Sequence, residues 1–153
     1  MKLTSYSNFA LRALQLAALR APHLSRVDDV VRAHRLSHAH VTKIVHELGK
    51  AGFIETQRGR RGGFRLARPA EEIRVGDVVR VTEGSMHLVE CFDPATNTCP
   101  LIGICRLSEA LHQATAAFLA VLDGITVADI SANRTSLLDR LEPAVAAPAD
   151  PAG

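Results

Sequence analysis

The sequence predicts a mainly α-helical fold with one small β-hairpin. Apolar residues recur at helical spacing in three segments before residue 52, two short strand-like runs follow between 53 and 68, and a heptad pattern begins after residue 104. A chain of 153 residues that is 47% hydrophobic and 22% charged has the composition of one globular domain. We therefore expect one domain, with the heptad segment as an appended long helix.

The first predicted helix covers residues 4–20. Thr4 is a suitable N-cap, Ala and Leu dominate the segment, and Pro22 lies just beyond its end. Its core face is formed by Phe9, Ala13, Leu14, Leu16 and Ala17. Asn8 is polar, and we expect it to be exposed in the monomer.

Two shorter helices follow, at 26–34 and 38–50, separated by a turn. Ser37 is the expected N-cap of the second one, and Ala51 and Gly52 end it. Its apolar positions are Val41, Ile44, Val45 and Leu48, and its other face carries His38, His40, Thr42, Lys43 and His46. A helix, a short turn and a second helix with a basic outer face form a helix-turn-helix pattern, although any amphipathic hairpin with a solvated polar face would give the same pattern.

The segment that follows, residues 53–68, favours the helix-turn-helix interpretation. Residues 53–58 and 63–68 are strand-like and are joined by Gly59-Arg60-Arg61-Gly62, so five arginines lie between positions 58 and 68. Residues 1–80 contain 15 Lys and Arg against 7 Asp and Glu, whereas residues 81–153 contain 3 against 9. A helix-turn-helix followed by a basic hairpin, in the basic half of the chain, predicts a winged helix-turn-helix DNA-binding domain at residues 1–84.

Ten residues are candidates for contact with double-stranded DNA. Histidines 38, 40 and 46 do not share one helix face, which makes them better DNA contacts than metal ligands. Arginines at a glycine-rich tip suit phosphate or minor-groove contact. The candidates are Ser37, His38, His40, Thr42, Lys43, Arg58, Arg60, Arg61, Gly62 and Gly63.

Residues 85–105 form a predicted loop that holds all three cysteines, Cys91, Cys99 and Cys105. Pro and Gly residues between them favour a compact turn in which the thiols can converge. An odd number of clustered cysteines without a secretory signal indicates a metal or redox site rather than a disulfide framework, although three separate buried cysteines remain an alternative. Structural zinc and iron-sulfur clusters normally take four ligands, so one ligand must come from a non-thiol side chain, a small molecule or another subunit.

A dimerisation helix is predicted after the loop, within residues 106–132. Leu107, Leu111, Ala114, Phe118 and Val121 form a heptad seam, and a short helix begins near Thr126. Because a small DNA-binding domain commonly uses two copies to bind two half-sites, we expect a homodimer. Residues 133–153 are predicted to be a mostly disordered tail, Pro-rich from 143 onward.

Other protein classes are less compatible with the sequence. It shows no apolar run of membrane-spanning length, no signal peptide and no catalytic motif, so we expect a cytoplasmic protein that is not an enzyme and does not contact a membrane. Two alternatives remain. One is a cluster-free regulator that uses zinc or oxidisable thiols, and the other is an iron-sulfur electron-transfer or cluster-handling protein.

Motifs along the chain resemble one bacterial family. The matching segments are 1–6, 10–14, 41–48, 58–66, 73–79, 88–92, 105–107 and 118–123, and the glycine-rich hairpin Arg58-Gly-Arg-Arg-Gly-Gly is the most specific of them. The family contains NsrR, a nitric-oxide-sensing iron-sulfur repressor, and IscR, a regulator of cluster biogenesis. The resemblance implies a dimeric repressor that binds promoter operators and carries a [4Fe-4S] or [2Fe-2S] cluster on Cys91, Cys99 and Cys105.

The resemblance also bears on the remaining cluster ligand. Ser108 stands where the IscR pattern has a ligand histidine, which argues against that pattern. In NsrR proteins the ligand can be an aspartate near the start of the first helix, donated by the other subunit, and Asn8 is the matching residue. A neutral amide oxygen binds iron less well than a carboxylate does. We therefore predict a cluster that is more labile than those of the relatives.

Overall fold

The computed structural model describes residues 3–84 and 86–146 and confirms a mainly helical fold with one two-stranded antiparallel hairpin. Its helices are α1 (Ser5–Arg20), α2 (Val27–His34), α3 (His38–Lys50), α4 (Val75–Glu83), α5 (Arg106–Asp123), α6 (Val127–Ile130) and α7 (Arg134–Ala146). The strands are β1 (Ile54–Gln57) and β2 (Gly63–Leu66), and single 3-10 turns lie at Ala70–Glu72 and Glu90–Phe92.

Helix α1 is the centre of the fold. The Thr4 side chain accepts a hydrogen bond from the Ser7 backbone N–H at 3.3 Å, as a capping residue should. The buried face includes Leu14 and Leu16, which pack with Ile44 and Leu48 of α3 in one core cluster. The predicted bounds of this helix are confirmed to within one residue.

The helix-turn-helix pair is also formed as predicted. The Asp29 carboxylate accepts the Arg26 backbone N–H at 2.8 Å, which fixes the start of α2. Arg35 ends that helix in the left-handed region, with φ 53°. Helix α3 has the predicted bounds and buries its four predicted apolar residues.

The hairpin is bonded to the segment that precedes α2. Ile54 pairs with Leu66 and Gln57 pairs with Gly63. The Ser25 and Phe64 backbones exchange two hydrogen bonds, at 2.9 and 2.7 Å, so Ser25 forms a single antiparallel bridge to β2. Phe64 is fully buried and packs the hairpin against the core.

The long helix α5 is joined to the DNA-binding half through α4. The Val75 backbone N–H donates to the Ile125 carbonyl at 2.8 Å, and the Val127 N–H donates to that of Ile73 at 2.8 Å. Arg80 on α4 makes two 2.6 Å bonds to the two carboxylate oxygens of Asp123, the last residue of α5. Gly76 leaves room for this ion pair, because a Cβ there would collide with the Asp123 carboxylate and force it to shift.

The C-terminal segment differs from the prediction. Residues 133–153 were predicted to be mostly disordered, but the structure has helix α7 over Arg134–Ala146. The helix forms because it packs on α2, because Leu141 lies against the core cluster, and because the Arg134 guanidinium donates to the Ala18 carbonyl at 3.4 Å. The prediction for residues 147–153 lies outside the described residues.

Candidate DNA interface and cysteine loop

The outer face of α3 exposes the five side chains predicted to contact DNA from this part of the chain, Ser37, His38, His40, Thr42 and Lys43. Helix geometry separates them from the buried apolar face, so a DNA groove can approach this side without disturbing the core. The Thr42 hydroxyl donates to the His38 carbonyl at 2.9 Å and lies 3.3 Å from the ring Nδ1 of His38. Two of the candidate residues therefore form one ordered unit at the start of α3.

The hairpin of β1 and β2 is the wing of the winged helix, and its tip is the connection 58–62. The wing tip presents three exposed arginines, Arg58, Arg60 and Arg61. Gly62 closes the turn with a 2.8 Å bond from its N–H to the Gly59 carbonyl, and a Cβ on Gly62 would overlap the Gln57 carbonyl oxygen. A Cβ on Gly63 would overlap the Ser25 carbonyl oxygen in the same way. Both glycines thus have a structural reason to be glycine, and their contact with DNA remains a prediction.

Two of the five hairpin arginines have partners within the protein. The Arg65 guanidinium binds the Glu55 carboxylate on the neighbouring strand at 3.0 and 3.2 Å. Arg68 donates to the Gly52 carbonyl at 3.2 Å and lies 5.2 Å from the centre of the Phe53 ring. These contacts within the protein distinguish Arg65 and Arg68 from the arginines at the tip. The amino-acid composition of the hairpin does not reveal such contacts.

All three cysteines are free thiols of intermediate exposure. Cys91 lies in the 3-10 turn Glu90–Phe92, and Cys105 is the N-cap residue of α5. The Asn97 side chain accepts the Cys99 backbone N–H at 2.9 Å, which fixes the turn before Cys99. In the same loop, hydrogen bonds from the Ala95 N–H and the Thr96 hydroxyl lower the pKa of the Asp93 carboxyl.

Contacts that the sequence did not reveal attach this loop to α5. The Cys91 thiol donates to the Ser108 hydroxyl oxygen at 3.3 Å. The Phe92 ring stacks on the His112 ring with centroids 3.7 Å apart. His112 Nδ1 lies 2.8 Å from the Ser108 carbonyl oxygen. Neither Ser108 nor His112 carries a motif that would have identified this packing.

The described part of the single chain does not by itself form a complete metal site. Within residues 3–84 and 86–146, no three His, Cys, Asp or Glu side chains come together in a geometry that could hold a metal ion. Convergence of the three thiols therefore stays a prediction. The donor set itself fits a soft metal centre, because three free thiols lie within one loop and sulfur is the ligand that soft metals prefer.

Asn8 is exposed on the first turn of α1, as predicted. Its backbone N–H donates to the Thr4 carbonyl at 3.2 Å. The Thr4 and Ser7 side chains bind the Glu83 carboxylate at the end of α4, and these bonds lower its pKa against the opposing effect of burial. The start of α1 is thus fixed to the end of α4, and the Asn8 side chain can reach another molecule.

Helix α5 contributes no fully buried residue within the single chain. Leu107 is 66% exposed and Val121 is 65% exposed, and both belong to the predicted heptad seam. In the cysteine loop, Leu101, Ile102 and Ile104 are also exposed. None of the helices in the described residues is both long enough and apolar enough to cross a membrane.

The fold and the exposed basic face define a class of protein, the winged helix-turn-helix DNA-binding regulators. Family comparison then identifies the group within this class. The chain belongs to the Rrf2 family of iron-dependent transcriptional regulators, whose model matches residues 3–133.

Individual relatives agree with that assignment. The chain is 51% identical over 138 residues to the HTH-type transcriptional regulator NsrR of Shouchella clausii, covering 90% of this chain and 93% of the relative. It is 41% identical over 143 residues to NsrR of Bacillus subtilis, covering 93% and 98%. The resemblance to NsrR is confirmed, and the relatives are named regulators rather than enzymes, as predicted.

Solved structures support the fold. The oxidized form of Staphylococcus aureus CymR has a TM-score of 0.68 and 26% identity, covering 86% of this chain and 96% of that one. IscR of T. potens has a TM-score of 0.69 and 24% identity, covering 85% of each chain. The chain is therefore a DNA-binding transcription regulator with a winged-helix fold.

Proposed function

We propose that this protein is a cytoplasmic homodimeric repressor that senses nitric oxide through an iron-sulfur cluster, [4Fe-4S] or [2Fe-2S], held by Cys91, Cys99 and Cys105. The observation that carries the proposal is the position of these thiols. They occupy one loop between the DNA-binding domain and α5, in a chain that is about half identical to an NsrR regulator. Such a cluster supplies iron atoms with which nitric oxide reacts.

The contacts of the chain provide a route from the loop to DNA. Cys105 caps α5, and the other end of that helix is bound to α4 through Arg80 and Asp123. Helix α4 packs on α1, which packs on α3 and the wing. A change at the cysteines can therefore alter how two DNA-binding domains are held relative to each other, which releases the promoter operator and permits expression of nitric-oxide detoxification genes.

The interface with DNA is proposed to comprise the exposed face of α3 and the wing tip. Side chains of α3 would read bases in the major groove, while Arg58, Arg60 and Arg61 would bind phosphate or enter the minor groove. The exposed apolar seam of α5 would be covered by a second copy of the chain, and Asn8 of that copy would lie near the cluster as a weak ligand.

One alternative has an observation in its favour. The three thiols are free and partly exposed, and a structural relative, Staphylococcus aureus CymR, is known in an oxidized form. A cluster-free regulator could therefore use zinc or reversible thiol oxidation at the same loop. An electron-transfer or cluster-handling protein would bind DNA without sequence preference.

Native mass spectrometry of protein purified without oxygen tests the proposal. We expect a dimer whose extra mass corresponds to iron and sulfide, visible absorption that is lost when nitric oxide is added, and weaker operator binding afterwards. A colourless dimer that holds zinc or only thiols, with DNA binding that responds to peroxide instead, would support the thiol alternative. Loaded protein that binds all duplexes equally would support electron transfer.

A further inference from the structure

Asp28 lies in the first turn of α2 and reaches across to the first residue of α3. Its Oδ1 is 3.4 Å from Nε2 of His38. The other ring nitrogen of His38, Nδ1, is 3.3 Å from the hydroxyl of Thr42. Each imidazole nitrogen therefore lies within 3.4 Å of a side-chain oxygen, and these two contacts, one from each helix of the helix-turn-helix, orient the ring.

The helix dipole favours a carboxylate in the first turn of α2, but Asp28 also lies beside a residue proposed to contact DNA. The Asp28 and His38 side chains are 62% and 64% exposed, so the carboxylate faces the surface that would meet DNA. A negative charge there repels the phosphates of every duplex, whatever its sequence. Such a charge can improve discrimination only if it orients a side chain that reads bases, since its direct effect on DNA affinity is unfavourable.

The neighbouring Asp29 has a different role. Its side chain is 7% exposed and is paired with Arg20 at 2.8 Å and Arg32 at 3.1 Å, so it belongs to the internal structure of α2. Asp28 has none of these internal contacts, and its carboxylate instead lies next to His38. A substitution at Asp28 can thus change the DNA-binding face while the packing of α2 is retained.

We infer that Asp28 is a specificity-determining residue of the DNA interface. It holds His38 in the orientation that reads a base and lowers affinity for duplexes that His38 does not match. This inference rests on the proposed role of α3 as the helix that enters the major groove. Asp28 acts through His38 and is a positioning residue, whereas His38 is the residue that contacts the base.

The test compares two duplexes with the full-length protein purified without oxygen. One duplex is recovered by the parent protein from a random-sequence library, and the other is a scrambled duplex of the same composition. Asp28→Asn should raise affinity for the scrambled duplex about twofold, because one repulsive charge is lost. The ratio of the two affinities should fall about fivefold, because His38 loses its orientation.

A double-mutant cycle separates positioning from a general charge effect. His38→Ala alone should lower the affinity ratio, and adding Asp28→Asn to it should leave that ratio unchanged. Asp139→Asn makes the same chemical change at an exposed site on α7 and should leave the ratio at its parental value.

The outcomes distinguish this inference from the proposal it rests on. If His38→Ala leaves the ratio unchanged, His38 does not read a base, and both the proposed contact and the inference fail. If His38→Ala lowers the ratio but Asp28→Asn does not, or if Asp28→Asn raises both affinities equally, the role of Asp28 is overturned while α3 remains the reading helix.

Discussion

At the scale of single residues, Asn8 is the position where this chain departs most clearly from its expected chemistry. The side chain is exposed on α1 and carries an uncharged amide oxygen. A carboxylate at this position would add the negative charge that holds iron more strongly. The sequence predicted this exposure from the polarity of Asn8, but it could not show that Thr4 and Ser7 fix the same turn to Glu83.

Asn8→Asp is expected to slow cluster loss. We expect the visible absorption of the loaded protein to decay several-fold more slowly in the presence of a chelator, because a carboxylate replaces a neutral ligand. Asn133→Asp is the control, because it adds the same charge at an exposed position outside the cysteine loop. Equal decay rates for the parent and Asn8→Asp would remove position 8 from the ligand set.

His34 provides a pH-dependent term in stability. Burial, and secondarily the positive charge of Arg12, lower its pKa to about 4, and its Nε2 is buried without a hydrogen-bond partner. An unfolded chain takes up this proton near pH 6.5, whereas the folded chain does not, so folding stability falls as the pH drops from about 6.5 towards 4. Since the side chain is only half-buried, we expect a loss of about 1 kcal/mol by pH 5.

Urea unfolding of the parent, His34→Gln and His23→Gln at about pH 7.5 and pH 5 measures this effect. The pH-dependent loss of stability should be about 1 kcal/mol smaller in His34→Gln than in the parent. His23 is exposed, so its substitution should preserve the parental loss. The same pH dependence in all three proteins would mean that His34 titrates normally in the folded state.

At the scale of elements, the predictions succeeded where a local pattern decided the structure. Helix α3 was predicted with its observed bounds because Ser37, the apolar spacing and Gly52 all agree. Helix α7 was missed because its formation depends on packing against α2, which has no local signal. Of the five hairpin arginines, the sequence predicted Arg58, Arg60 and Arg61 as DNA contacts, and the structure adds that Arg65 is paired with Glu55 across the two strands.

The arginines at the wing tip and the paired arginine on the strand are expected to contribute differently to DNA binding. Arg60→Ala or Arg61→Ala should weaken binding to all duplexes and lower the slope of log affinity against log salt by about one, because each removes one phosphate contact. Arg65→Ala is the matched control, since its guanidinium is already bound to Glu55. Titrations by fluorescence anisotropy at several salt concentrations measure the slope. A loss of slope in Arg65→Ala equal to that at the tip would place the phosphate contacts on the strands instead.

At the scale of the whole molecule, the excess positive charge and the exposed apolar side chains lie in different halves of the chain. Net charge is +8 for residues 1–80 and −6 for residues 81–153, as counted from the sequence. The basic half contains the proposed DNA interface, and the acidic half contains α5, whose seam residues Leu107 and Val121 are exposed within one chain. A single sequence can indicate such a seam through heptad spacing, but the convergence of three thiols depends on long-range geometry that spacing does not encode.

Val121→Glu should convert the protein to a monomer. Val121 is 65% exposed in the single chain and lies on the seam, so a second copy would bury the new carboxylate without a partner, which costs several kcal/mol. Ala116→Glu adds the same charge at an exposed position of α5 outside the seam and should leave the dimer intact. Sedimentation velocity at micromolar concentration distinguishes the monomer from the dimer. A monomeric Val121→Glu protein should also bind operator DNA more weakly, because a single domain contacts only one half-site. A dimeric Val121→Glu protein would place the subunit contact elsewhere and leave the exposed face of α5 to another partner.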